Sequence, residues 1–112
     1  MKKIEAFIRP EKLEPVRQAL SEIGVFGMTV SEVSGRGRQR GITLQWRAGD
    51  YCVEFLPKLK IELVVIEEEV DRAVRIIMRK ARTGERGDGK IFVLPVVDAL
   101  RIRNGDHGED AV

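Results

Sequence analysis

The sequence is poor in the residues that build metal, redox and hydrolytic sites. Among its 112 residues there is one cysteine, Cys52, and one histidine, His107. A single cysteine excludes a disulfide within the chain, and with one histidine it leaves a zinc site short of ligands. His107 lies in the C-terminal tail and Cys52 has no base near it in the sequence, so no nucleophile–base pair is indicated. We therefore expect a protein that is not an enzyme.

The sequence also lacks a strong net charge and a long apolar run. Its net charge is +2, which is too small to attract nucleic acid or an anionic membrane in general. No apolar run approaches the roughly 20 residues that span a bilayer, and the N-terminus has the pattern of a strand, unlike a signal peptide. We therefore expect a cytoplasmic protein without membrane insertion or direct nucleic-acid binding.

What is present is the composition of a folded domain. Hydrophobic residues make up 43% of the chain and charged residues 34%, which is more apolar than a disordered chain. We expect one domain over residues 1–112, with a modest core and a polar tail at 104–112. Apolar spacing predicts helices at 10–24 and 67–82 and strands at 2–8, 28–34, 58–66, 91–97 and 99–103.

This order of elements predicts the α+β, ferredoxin-like split βαβ plan (βαββαβ). Four strands form an antiparallel sheet and two helices cover one of its faces. The other face carries Phe7 and Val64, and self-association is the simplest way to bury it. Pro95 cannot donate a ladder hydrogen bond, so its strand is expected to end at a sheet edge or a bulge.

The stretch from residue 35 to about residue 55 has two interpretations. It is rich in glycine and arginine, and a loop of this length in a compact domain is usually functional or disordered. Ile42, Leu44 and Trp46 alternate with polar residues, which favours a pair of strands in a long hairpin. The two arrangements can coexist in different states of the protein.

Residues 83–90, the glycine loop, carry the most informative pattern. Closely spaced glycines let successive backbone N–H groups face one anion, and Lys90 adds a point charge. Residues 84–90 fit the phosphate-loop spacing G-x-x-x-x-G-K. However, Ile91 stands where a serine or threonine would hold magnesium, and the loop runs from a helix to a strand instead of the reverse. A tight glycine turn that closes a helix is the alternative interpretation.

Arg101 and Arg103 strengthen the anion interpretation. They alternate on the strand predicted at 99–103, so both side chains are expected on one side, where a polyphosphate would explain them. Arg38 offers a third cation from the long loop. Lys58 is suited to pair with a carboxylate or to face solvent, and Gln39 is either a plain loop residue or an oxygen ligand for magnesium.

Four blocks of the sequence resemble the PII nitrogen-regulatory proteins. These blocks are residues 37–41, 53–62, 81–93 and 101–105, and the likeness covers essentially the whole chain. The glycine loop and the Ile91-Phe92-Val93 that follows it are the most specific part. The resemblance implies a homotrimer of ferredoxin-like subunits with nucleotide sites between neighbours.

The resemblance also implies roles for individual residues. Gln39 would help to hold Mg²⁺ between ATP and 2-oxoglutarate, and 2-oxoglutarate would contact Lys58 and Gly87. The positions that match contacts to ATP or ADP, two of them contributed by the adjacent subunit, are Thr29, Gly35, Gly37, Arg38, Val64, Gly87, Asp88, Gly89, Lys90, Arg101 and Arg103.

Residues 37–55 match the T-loop of the family, which inserts into partners such as an ammonium channel or enzymes of nitrogen and carbon metabolism. The tip departs from the usual family pattern and reads Trp46-Arg47-Ala48-Gly49-Asp50-Tyr51. Tyr51 matches the tyrosine that receives a nucleotidyl group in some members. Gly49 stands where some photosynthetic members carry a phosphorylated serine, so that modification is excluded.

Three other functions compete with this one. RNA-recognition domains share the topology but need exposed aromatics on the central strands, where this sequence has mostly Ile, Val and Glu. A nucleotide hydrolase needs a general base, and none is evident. A divergent PII paralogue would serve a specialised transport or metabolic partner without sensing 2-oxoglutarate. The presence of both Gln39 and Lys58 argues against it.

Overall fold

The computed structural model describes residues 1–37, 42–46, 49–53 and 55–112. Short 3₁₀ turns lie at Pro10–Lys12 and Gly108–Ala111. The strands and helices are, in chain order, β1 (Lys2–Ile8), α1 (Leu13–Glu22), β2 (Thr29–Gly35), β3 (Ile42–Trp46), β4 (Gly49–Val53), β5 (Leu56–Val65), α2 (Glu67–Ala81) and β6 (Lys90–Pro95).

Four of these strands form one antiparallel sheet in the order β2–β5–β1–β6. Both helices pack against the same face of this sheet, so the predicted ferredoxin-like βαββαβ plan is confirmed. Pro95 is the last residue of β6, which is an edge strand, as its missing N–H requires.

Alternation along the strands decides which face of the sheet is buried. Ile4, Ala6 and Ile8 of β1 are buried, while the residues between them lie on the opposite face. β5 alternates in the same way through Ile61 and Leu63. The sheet therefore offers one apolar face to the helices.

The helices cover that face with apolar residues spaced three and four apart. Val16 and Leu20 of α1 and Ala73 and Ile77 of α2 are fully buried. Acidic residues begin α2 and basic residues end it, which suits the helix dipole. The core therefore lies between the two helices and the sheet.

The long loop contains a hairpin that is separate from the main sheet. β3 and β4 pair antiparallel, from Ile42 opposite Val53 to Trp46 opposite Gly49. Of the two arrangements that the sequence allowed, the strand pair is the one that this structure has in the backbone of residues 42–46 and 49–53.

The prediction of a strand at 99–103 is wrong. Leu100 makes one isolated bridge with His107, and the residues between them turn back. The Arg101 N–H donates to the Asp106 carbonyl at 2.7 Å, and the Gly105 N–H donates to the Arg101 carbonyl at 2.8 Å. Asn104 stabilises the turn, because its side-chain oxygen accepts from the Asp106 N–H at 3.0 Å. Local turn chemistry therefore outweighs the alternation of Arg101 and Arg103.

The sheet face opposite the helices, here called the open face, carries an ion-pair cluster at its centre. Lys3 Nζ lies 2.7 Å from Glu62 and 3.3 Å from Glu5. Lys60 Nζ contacts the same two carboxylates at 3.1 and 3.9 Å, respectively. Hydrogen bonds to Glu62 and then Glu5 raise the pKa of Lys3. Each charge of the cluster has an opposite partner within the chain.

The β6 side of the open face is apolar. Phe7 and Phe92 meet edge to face with ring centroids 6.1 Å apart. Phe92 is 48% exposed and Leu94 38% exposed, so a single chain leaves the β6 side of this face largely uncovered. The predicted self-association would bury it and stays a prediction.

Candidate functional site

Asp88 organises the glycine loop. Its carboxylate accepts the Thr83 hydroxyl at 2.5 Å, the Thr83 N–H at 3.0 Å and the Gly84 N–H at 2.9 Å. The Thr83 hydroxyl oxygen in turn accepts the Glu85 N–H at 3.0 Å. The hydrogen bond from the Thr83 hydroxyl is the largest cause that lowers the pKa of Asp88, and the backbone N–H groups and Arg9 add to it. The carboxylate therefore closes the loop on itself as an anion.

Gly89 fixes where the loop meets the sheet. Its φ is +98°, a region that favours glycine, and a Cβ placed there would lie 1.6 Å from the Phe7 carbonyl oxygen. The backbone of the loop therefore packs directly on the end of β1. Gly84 and Gly87 also have positive φ, +89° and +94°, so the glycine pattern reflects a real need of the backbone.

Two cations from the sheet hold the middle of the loop. Arg9, just after β1, donates from Nε to Asp88 at 3.2 Å and from Nη2 to the Arg86 carbonyl at 2.6 Å. Lys58 of β5 donates to the Gly87 carbonyl. Burial lowers the pKa of Lys58 and the charge of Arg9 lowers it further, against smaller opposing effects from nearby carboxylates.

Sequence reasoning missed Arg9. A signal was available, because β1 pairs with β6 so that Phe7 lies opposite Lys90. The residue two positions after Phe7 must therefore lie beside the loop that leads into Lys90. Arg9 also lies between Ile8, which is buried, and Pro10, which is exposed, where the chain leaves the sheet.

The loop forms one wall of a cavity of about 830 Å³. The opposite wall comes from the end of β2 and the start of β5. The residues that line it are Phe7, Gly35, Arg36, Gly37, Lys58, Glu85, Arg86, Gly87, Asp88, Gly89, Lys90 and Phe92. Cavities of this size hold small-molecule ligands.

The cavity brings together more than half of the residues predicted to bind ligands. Those that line it are Gly35, Gly37, Lys58, Gly87, Asp88, Gly89 and Lys90. Thr29 and Val64 do not line it. Val64 lies six positions beyond Lys58 on β5, about 20 Å along the strand. Thr29 pairs with Glu62, near that far end.

Arg101 and Arg103 also lie outside this cavity. Arg101 contacts Asp106 at 3.5 Å and the Asp110 carbonyl at 3.1 Å, within its own turn. Arg103 is exposed. Arg38 and Gln39 lie outside the described residues. Tyr51 belongs to β4, where its backbone pairs with Leu44.

This arrangement is suited to binding an anion. Glycines with positive φ let backbone N–H groups approach a ligand, and Lys58 and Lys90 supply positive charge in the same cavity. In the part of the chain that the structure describes, no cluster of three or more His, Cys, Asp or Glu side chains is placed to hold a metal ion. Within the same residues, no helix has the length and apolar character needed to cross a membrane.

Comparison with known proteins finds similarity along the whole chain. The family model described as "Nitrogen regulatory protein P-II" matches residues 1–106. "Nitrogen regulatory protein P-II 1" of Methanothermobacter thermautotrophicus is 55% identical over 112 residues, which cover 100% of this chain and 97% of that protein. "Nitrogen regulatory protein P-II" of Pasteurella multocida and "Nitrogen regulatory protein P-II 1" of Escherichia coli K12 are each 54% identical over 112 residues, with 100% of both chains covered. The matched region includes the glycine loop and every residue that lines the cavity.

Proposed function

Because this chain belongs to the P-II nitrogen regulatory protein family, we propose that it reports nitrogen, carbon and energy status by binding ATP or ADP competitively. Members of this family are regulatory signalling proteins and not enzymes, and they bind nucleotides and regulate partner proteins. For this chain we propose the finer assignments that the resemblance implies: ATP and ADP as the nucleotides, 2-oxoglutarate with MgATP, and a cytoplasmic site of action.

The observation that carries the proposal is the glycine loop closed by Asp88 above a cavity that also holds Lys58 and Lys90. A closed loop has already lost the conformational freedom that an anion would otherwise have to remove. Lys90 at the start of β6 adds a positive charge where the loop ends. The ligand that fits best is a phosphate chain, and ATP and ADP would compete for the same donors.

The second ligand is 2-oxoglutarate, with Lys58 as the partner of one carboxylate. Lys58 is half-buried and has a lowered pKa, so a carboxylate that replaces its contact with the Gly87 carbonyl would gain a strong ion pair. Gln39 would help to hold the Mg²⁺ that joins 2-oxoglutarate to ATP. That role rests on the family resemblance alone.

Assembly and signalling complete the proposal. A homotrimer would cover the apolar β6 side of the open face and bring Arg101 and Arg103 of one subunit to the cavity of the next. Residues 37–55 would act as the T-loop and carry the ligand state to an ammonium channel or to enzymes of nitrogen and carbon metabolism. A loop with few packed contacts can shift its population for a small difference in binding energy.

Calorimetry tests the proposal in one series. We expect heat from ATP and from ADP without any metabolite, competition between the two nucleotides, and heat from 2-oxoglutarate only after MgATP. Absence of heat from both nucleotides would contradict the proposed function. Nucleotide binding without a 2-oxoglutarate response would favour the divergent paralogue.

Two lysine variants test whether Lys58 serves 2-oxoglutarate and not ATP. Lys58→Met should abolish the 2-oxoglutarate response and leave ATP affinity within about threefold, because Lys58 contacts the glycine loop only through the Gly87 carbonyl among the described contacts. Lys12→Met, in the turn before α1, is the matched control and should change neither. Loss of both ligands in Lys58→Met would contradict the separate roles.

A further inference from the structure

Three consecutive residues of the glycine loop are each held by a cation from the sheet. Arg9 holds the Arg86 carbonyl at 2.6 Å and the Asp88 carboxylate at 3.2 Å. Lys58 holds the Gly87 carbonyl between them. Two side chains, Arg9 just after β1 and Lys58 on β5, therefore fix residues 86–88.

These contacts also fix the direction of the backbone donors. In a trans peptide the C=O and the following N–H point in opposite directions, and none of the peptide bonds in the described chain is cis. With the carbonyls of Arg86 and Gly87 directed to the cations, the N–H groups of Gly87 and Asp88 point away from them. The orientation of these two N–H groups therefore depends on Arg9 and Lys58.

The two cations differ in what else they can do. Lys58 lines the cavity, and a carboxylate ligand there would draw it away from the Gly87 carbonyl. Arg9 is not among the residues that line the cavity, and within the described part of the chain its side-chain hydrogen bonds go to the loop. Its planar guanidinium donates to the two acceptors from two different nitrogens, Nε and Nη2, in a fixed fork.

We propose that Arg9 is a positioning residue that keeps residues 86–88 in place when Lys58 leaves Gly87 for an anionic ligand. This inference rests on the proposed function, because it assumes that an anion enters the cavity. Arg9 acts through the loop and does not touch the ligand. Without it, Lys58 would have to serve the loop and the ligand together, so the two would compete.

Amide hydrogen exchange of the ligand-free protein tests the tether by itself. The Thr83, Gly84 and Glu85 N–H groups are bonded to Asp88 directly or through Thr83, so their exchange reports whether Asp88 is held. In Arg9→Gln we expect these amides to exchange about tenfold faster, roughly the effect of one lost charge-assisted hydrogen bond. Arg9→Lys, which keeps the charge but loses the fixed fork of two nitrogens, should be intermediate and stands in if Arg9→Gln does not fold.

Arg17→Gln is the matched control, since Arg17 makes an exposed ion pair with Glu14 within α1, 2.9 Å apart. It should leave exchange in the loop unchanged. Equal exchange in wild type and both Arg9 variants would overturn the proposal.

Ligand binding supplies the second readout. In Arg9→Gln we expect ATP affinity to fall about tenfold and the gain in 2-oxoglutarate affinity on adding MgATP to shrink by a similar factor. Faster exchange with unchanged ATP and 2-oxoglutarate binding would overturn the positioning role. If wild-type protein binds neither ATP nor ADP, the proposed function fails, whereas the exchange result still decides whether Arg9 holds the loop.

Discussion

The glycine loop and the C-terminal segment (residues 97–112) both carry cations that the sequence assigns to one anion, yet they are held differently. The glycine loop is fixed by contacts from distant parts of the chain, with Arg9 separated from Asp88 by 79 positions and Lys58 from Gly87 by 29. In the C-terminal segment, Arg101 contacts Asp106 and Asp110, at most nine positions away. One region is built into the fold and the other is folded on itself.

The C-terminal segment also differs from the glycine loop in how many apolar side chains it exposes. Val97, Leu100 and Ile102 are 99%, 69% and 103% exposed, respectively. Burying the apolar surface of these side chains would gain about 25 cal/mol per Å². Exposed apolar surface of this kind is typical of an interaction surface. The glycine loop is therefore held by contacts within one chain, and we expect the segment that carries Arg101 to find its packing on another copy.

The largest expected effect compares one glycine from each region. Gly89→Ala would bring a Cβ to 1.6 Å from a backbone oxygen, so β1 or the loop must move. We expect a loss of more than about 3 kcal/mol in the free energy of unfolding. Gly105→Ala also has a positive φ, +76°, but meets nothing within 4 Å, so we expect about 1 kcal/mol. Urea denaturation of both variants at one protein concentration measures the contrast.

Equal losses in the two variants would break the comparison. In that case backbone conformation alone, and not the contact of the glycine loop with β1, would set the cost of both substitutions.

Mixed oligomers test whether the two regions meet across subunits. Lys90→Ala and Arg101→Ala should each lower the affinity for ATP by tens-fold, since each would remove a charge-assisted contact to phosphate. When the two variants are expressed together, some sites pair a wild-type Lys90 with a wild-type Arg101 from the neighbouring subunit. We therefore expect a fraction of tight ATP sites to return, measured by calorimetry on the purified mixed oligomer.

Mixing the two separately purified variants without subunit exchange is the control and should restore no tight site. If co-expressed oligomers also stay weak, Lys90 and Arg101 do not serve one site between two copies.

The same contrast explains what the sequence could predict. The strands and helices followed from apolar periodicity, since Ile4, Ala6 and Ile8 alternate and α2 repeats every three to four residues. The glycine loop followed from glycine spacing, because positive φ is a local demand that few other residues meet. Local rules therefore gave the fold and the part of the site that one loop supplies.

The misses come from competition between rules and from distance along the chain. Alternation predicted a strand at 99–103, but Asn104 and Gly105 form a turn whose hydrogen bonds are closer in sequence than any strand partner. Arg9 contacts a loop 77 to 79 positions away. That contact can be inferred only when β1 is known to pair with β6. Thr29 and Val64 do not line the cavity, and the roles that the family resemblance gives them stay predictions.

The smallest expected effect compares an aspartate from each region. Asp88→Asn removes the carboxylate that closes the glycine loop and pairs with Arg9, and we expect a loss of about 1 kcal/mol in the free energy of unfolding. Asp106→Asn removes an exposed pair with Arg101, and we expect a change within about 0.5 kcal/mol. Urea denaturation between pH 7 and pH 3 measures both.

The pH dependence separates the two aspartates. Hydrogen bonding lowers the pKa of Asp88 in the folded protein, below its unfolded value of about 3.9. Its contribution is therefore fully present above the unfolded pKa and declines as the pH falls toward the folded one. The stability difference between wild type and Asp88→Asn should stay constant from pH 7 to about pH 5 and shrink below about pH 4. A difference that persists unchanged to pH 3 would mean that the Asp88 charge does not hold the loop.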